Sequence, residues 1–149
     1  MSKLDYKSAG VNIDAGNEAV ERIKDGVKST FTSNVLTGLG SFGSLYDLKP
    51  ILENYENPVM VQSIDGVGTK TIIARKMGKF DTIGIDLLSA AANDILVMGA
   101  QPLTFLDYIA NDKLNPETVE EIVSGMVKAC RETGVSLVGG ETAEMPDTY

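Results

Sequence analysis

Apolar positions along the chain fall into short runs separated by polar and glycine-rich stretches. After a polar arm of about ten residues, Asp14 offers an N-cap, and Val20, Ile23, Val27 and Phe31 recur at helical spacing. That pattern predicts a helix over residues 15–29. The stretch 37–44 (TGLGSFGS) carries Gly38, Gly40 and Gly43, too many for a stable helix, and leaves the backbone free to wrap a ligand. Residues 58–64 (PVMVQSI) read as a β-strand that runs into DGVGTK, after which TKTIIARKMG reads as a helix stopped by Gly78.

Residues 82–85 read as a short strand and 86–98 as a buried helix stopped by Gly99, with Pro102 just beyond. Residues 103–109 form an apolar, aromatic strand pattern. Asn115, Pro116 and Glu117 are a strong helix start, and Val119, Ile122, Val123, Met126, Val127 and Cys130 line one face before Gly134 ends the helix. A strand over 135–138 then leads into Gly139, Gly140 and Glu141. Strands alternating with helices over short links imply an α/β fold, a mixed sheet with helices packed on one face.

Composition narrows the chemistry. The 149 residues suit one domain, which at this size buries about 70% of its extended surface and needs no staples. There is no histidine, which excludes a histidine triad, a histidine metal site and a histidine acid–base catalyst. Cys130 is the only cysteine, so neither an internal disulfide nor a cysteine zinc cluster can form. Thirteen basic against 21 acidic residues give a net charge of −8, which argues against a nucleic-acid partner. The N-terminal residues lack an apolar signal region, and no run approaches a membrane span, so a cytoplasmic protein with no membrane partner is expected. No capping element follows Met145, and the chain reads as truncated.

Four segments place glycines or acids at the ends of regular elements. In DGVGTK, Gly66 and Gly68 permit close backbone approach to a phosphate, Thr69 opens the helix and Lys70 supplies a point charge. The same loop also reads as a tight strand–helix turn with a surface lysine, since its spacing is neither a P-loop nor GxGxxG. In D-x4-G-A-x-P, Asp94 sits in an apolar stretch where an unpaired carboxylate is costly, so a metal or basic partner is expected. Asp86 falls on roughly the same side of that helix, or caps it. Glu141 follows a buried strand, where ligands gather in α/β sheets. The loop with Gly40, Phe42 and Gly43 is placed to close over a ligand or to serve as a mobile connector. With hard oxygen donors only, Mg²⁺ shared between carboxylates and substrate phosphates is the expected ion.

The ordered segments AGVNIDAGN, GSFGSL, DGVGTK, DTIGIDLLSAAANDILVMGAQPLTFLDY and GGETAEMP resemble the phosphoribosylformylglycinamidine cyclo-ligase (AIR synthetase) family over nearly the whole chain. The resemblance implies the N-terminal, ATP-binding and dimerisation domain over residues 1–149, with strands building a shared β-barrel in a homodimer and a C-terminal domain absent. It implies ATP-dependent ring closure of formylglycinamidine ribonucleotide, with ATP as co-substrate and Mg²⁺. Carried over by position, Asp65, Asp86, Asp94 and Glu141 are expected to ligate magnesium, and Lys70 and Asp94 to act in catalysis. Lys24, Gly40, Phe42, Gly43, Gly66, Gly68, Thr69 and Lys70 are expected around the nucleotide, Lys24 reading more readily as a solvated helix charge. A sister phosphotransferase, of thiamine-phosphate kinase or selenophosphate synthetase type, and a non-catalytic dimerising fragment are the competing readings.

Overall fold

Asn12 starts the first helix, α1 (Ile13–Lys28): its side chain accepts the Ala15 N–H at 3.2 Å. In this computed structural model, which describes Tyr6 and residues 8–41 and 43–149, Asp14 therefore lies inside the first turn. A negative charge there favours the helix without capping it. The inward face runs through Ala19, Ile23 and Val27, while Val20 is turned to solvent. A single turn, α2 (Lys49–Leu52), and α3 (Lys70–Met77) follow, the latter closed by Gly78 in the left-handed conformation at φ 60°.

The expected short strand over 82–85 is instead the start of α4 (Ile83–Val97), with Thr82 as its first flanking residue. Four apolar or small residues are compatible with either state, and tertiary packing decides: a Cβ on Gly84 would run into the Ile122 carbonyl oxygen. Only glycine lets α4 lie so close to the helix beneath it.

Two strands and one helix make the centre. Strand β1 (Thr104–Asn111), helix α5 (Pro116–Thr133) and strand β2 (Ser136–Glu144) form a β-α-β unit with the strands parallel. Asn115 caps α5 by accepting the Thr118 N–H at 2.8 Å, and Gly134 closes it at φ 73°. The register pairs Asp107 with Gly140 and Tyr108 with Glu141, after a shift between Phe105 and Leu106. Strand β2 is longer than the sequence pattern suggests and runs through Glu141, which is therefore within the strand and not beyond it.

The expected strand over 58–64 has no ladder partner among the described residues, and the sheet is a two-stranded parallel one, not a mixed one. Its Val59, Met60 and Ile64 are 84%, 76% and 97% exposed. A β-rich composition favours the strand conformation but cannot supply the neighbouring strand that the backbone must bond to.

The core lies between α1, α5 and the sheet, where Val27, Val119, Met126, Cys130 and Leu137 are almost fully enclosed. Ser136, wholly buried, accepts the Thr32 N–H at 3.2 Å, and Thr30 Oγ1 accepts the Leu137 N–H at 3.0 Å. These bonds fasten the chain leaving α1 to the start of β2, so the glycine-rich loop begins from a fixed point. The opposite face of β1 leaves Leu106 and Tyr108 exposed. No helix among the described residues is long and apolar enough to cross a membrane.

Candidate functional site

The loop from Asp65 to Thr69 is shaped by its own short-range bonds. Asp65 Oδ1 accepts the Gly66 N–H at 2.7 Å, and the Thr71 hydroxyl donates to the Gly68 carbonyl at 2.9 Å. Gly68 has φ 68°, a conformation a side chain resists. The loop then delivers the chain into α3 with no side chain capping it, so its first N–H groups and the positive end of its dipole have no side-chain acceptor. Lys70, the first residue of α3, reaches α4: its Nζ stands 2.5 Å from Asp86 Oδ2. That ion pair sits at an open groove of about 560 Å³ between α3 and α4, walled by Ile73, Met77 and Ile83.

Helix α4 carries two carboxylates at opposite ends. Asp86 is in the first turn, where the dipole favours it, and Lys70 neutralises it. Asp94 opens the last turn, which contains no basic residue, and it accepts the Ser63 hydroxyl at 2.9 Å. It is exposed, as are Leu96, Val97 and Met98 beside it, so the burial cost expected from the apolar sequence around Asp94 is not incurred. Eight residues of helix separate the two carboxylates by about 12 Å along the axis. With metal–oxygen bonds of about 2.1 Å, one ion does not span them. In this arrangement Asp86 is paired with Lys70 and stands apart from Asp94, which is bonded to Ser63.

Asp65 lies on the loop, Asp94 on α4 and Glu141 on β2 opposite Tyr108, all exposed. Among the described residues, no group of three or more acidic or cysteine side chains is close enough to hold a metal ion. A ready-made cage is thus not built. Magnesium commonly takes one or two carboxylates and completes its shell with water and phosphate oxygens, and the separate hard donors of this chain fit that kind of site.

The remaining expected residues lie elsewhere. Lys24 is bonded to Glu21 at 3.1 Å on α1, which packs against α5 and β2, whereas α3 packs against α4. Gly40, at φ 98°, and Gly43 lie in a loop whose base is closed by the Val35–Tyr46 bridge and by the Asn34 side chain donating to the Asp47 carbonyl at 2.7 Å. Phe42 lies outside the described residues.

Two acids escaped sequence reasoning. Asp107 in β1 is pressed against Gly140, and burial, reinforced by the Glu141 charge, pushes it up to about 6 against a bond from its own backbone. A lone charge inside the apolar run FLDY is the signal that could have found it. Glu144 gathers the Asn12 N–H at 2.6 Å and the Leu114 N–H at 2.9 Å, and these bonds lower its carboxyl below the ordinary range. Cys130 is enclosed in the core, and burial pushes its thiol up to about 12, which suits packing and not nucleophilic chemistry.

With this geometry, the chain belongs to the family described as AIR synthase related protein, N-terminal domain, whose pattern matches residues 49–149. Several of its relatives carry one enzyme's name. The chain is 55% identical over all its 149 residues to the phosphoribosylformylglycinamidine cyclo-ligase of Carboxydothermus hydrogenoformans. It is 56% identical over 144 residues, 97% of its length, to that of Brevibacillus brevis, and 52% over 146 residues, 98% of its length, to that of Xanthomonas euvesicatoria. It spans 43%, 41% and 42% of those three relatives respectively.

Proposed function

We propose that this chain is the nucleotide-binding N-terminal part of a cytoplasmic phosphoribosylformylglycinamidine cyclo-ligase, which closes the imidazole ring of formylglycinamidine ribonucleotide at the expense of ATP. The observation that carries the reading is identity above one half, across the whole chain, to relatives named for that enzyme. In the reaction the formyl oxygen attacks the γ-phosphorus, and the bond to the bridging oxygen breaks to release ADP. The amidine nitrogen then bonds to the activated carbon, and phosphate departs with the former formyl oxygen. The products are aminoimidazole ribonucleotide, ADP and phosphate.

Such a transfer needs alignment and charge neutralisation more than covalent help from the protein. Lys70 and the positive end of the α3 dipole supply positive charge to the phosphates, over glycines that let the backbone approach. Asp94, Asp65 and Glu141 would each offer separate oxygens to magnesium held chiefly by those phosphates; when bound, the metal offsets their charge. Asp86 fixes Lys70 when no phosphate is present. Gly40, Phe42 and Gly43 cover the nucleotide, and Lys24 lies at its margin. Exposed Val59, Met60, Ile64, Leu106 and Tyr108 support a homodimer in which strands of two copies complete the sheet.

The test is turnover by the purified full-length protein with formylglycinamidine ribonucleotide and ATP, followed as one ADP and one phosphate per ring closed. Turnover of thiamine phosphate instead would overturn the reading in favour of a sister phosphotransferase, and no turnover with no ATP-dependent rise in melting temperature would favour a non-catalytic module.

A further inference from the structure

We infer that Ser63 is a positioning residue for Asp94, holding one carboxylate oxygen so that the other faces the nucleotide phosphates. The inference rests on the nucleotide reading above and deepens it. The observation is the Ser63 hydroxyl donating to Asp94 Oδ2 at 2.9 Å.

The two carboxylates of α4 are in opposite electrostatic situations. Asp86 enjoys the positive end of the helix and a lysine. Asp94 stands at the negative end, with no basic residue in its turn and a neutral hydroxyl as its bonded partner. A hydroxyl donates one proton, while a carboxylate offers about four lone-pair sites, so the bond orients Asp94 without consuming its charge. Asp94 remains ready for a cation in a way that Asp86 does not.

Ser63 also lies two residues before Asp65, in the segment that has no ladder partner among the described residues. Its bond to Asp94 ties one end of the loop to the last turn of α4, and Lys70 with Asp86 ties the other end to the first turn. The loop is thereby slung along α4, with Asp65 and Asp94 joined through Ser63. A carboxylate freed from that bond would rotate, and the entropy of fixing it would fall on metal and nucleotide binding.

The experiment uses the full-length protein with Ser63→Ala, Ser63→Thr, Asp94→Asn and the Ser63→Ala/Asp94→Asn double variant. Calorimetry measures ATP affinity at limiting and saturating magnesium, and melting temperature is read without nucleotide. Ser63→Ala should weaken ATP about five- to tenfold at limiting magnesium, the scale of one ordinary intramolecular hydrogen bond. The loss should shrink at saturating magnesium, Ser63→Thr should restore affinity to within about twofold, and the nucleotide-free melting temperature should stay put. Added to Asp94→Asn, Ser63→Ala should cost nothing more. Unchanged affinity in Ser63→Ala, or a loss that persists undiminished in the Asp94→Asn background or at saturating magnesium, overturns the role of Ser63 alone. Wild-type affinity in Asp94→Asn removes Asp94 from the nucleotide site, and the positioning role falls with it.

Discussion

Lys70 Nζ meets Asp86 Oδ2 at 2.5 Å, joining the first residue of α3 to the first turn of α4 across the mouth of the groove between them. Both side chains keep much of their surface in water, and an exposed pair of this kind stabilises a fold by about 1 kcal/mol at most. Lys70→Ala should therefore barely change the melting temperature of the nucleotide-free protein. ATP affinity should fall roughly tenfold or more, because a charged donor to phosphate is lost. Calorimetry beside thermal melts with and without ATP checks this; an equal drop in both melts would make the lysine a structural residue.

Gly84 and Gly125 meet where α4 crosses α5. A Cβ on Gly84 would strike the Ile122 carbonyl oxygen, and one on Gly125 the Asp81 carbonyl oxygen. Gly84→Ala and Gly125→Ala should each destabilise the protein by about 2 kcal/mol or more, since overlap with backbone forces the helices apart. Gly16→Ala is the control: nothing lies within 4 Å of a Cβ there, and replacing a helical glycine should stabilise by up to about 1 kcal/mol. Urea midpoints of the three variants decide it.

Asp107 should make stability fall as the solution becomes less acidic. Its carboxyl rises from 3.8 to about 6 on folding, so the native state binds the proton more tightly. Stability is then highest below about 4, declines through the window up to about 6, and stays lower at neutral pH. Asp107→Asn should remove that decline and raise stability at pH 7 by about 3 kcal/mol. Denaturant melts between pH 4 and 7.5 would show whether the two curves converge on the acid side, as this requires.

Glu144 acts with the opposite sign. Its carboxyl is held below 4.5 by two backbone N–H groups, so its contribution is complete at neutral pH and vanishes as acid carries the pH through the depressed folded value. Glu144→Ala should loosen both the Asn12 and Leu114 attachments at once. Amide hydrogen exchange ought to quicken at the start of α1 and ahead of α5; protection identical to wild type would discard the two-way anchor.

Most of the regular structure was legible because local chemistry specifies it. Asn115, Pro116 and Gly134 bound α5, and its apolar face is the one that enters the core. Gly78 stops α3 as expected. The start of α1 was misread because Asn12 and Asp14 are both good caps and sequence alone does not choose between them. Residues 82–85 were misread because helix and buried strand share short apolar runs, and the deciding contact comes from α5.

The site was legible only as a set of residue types. Hard oxygen donors, one lysine and glycines before a helix follow from composition and order, and composition also excludes histidine chemistry and an internal disulfide. Which side chains meet was decided by packing: Lys70 with Asp86, Ser63 with Asp94, and Glu144 with two distant amides. The sequence by itself determined the bounds of α5, the stop of α3 at Gly78 and which charges are available, because caps, glycines and periodicity act over a few residues. The tertiary structure alone decided that Asp94 is exposed, that Asp107 is half-buried, and that residues 58–64 find no partner strand among the described residues. Burial and pairing depend on what the rest of the chain brings alongside, and no local pattern carries that information.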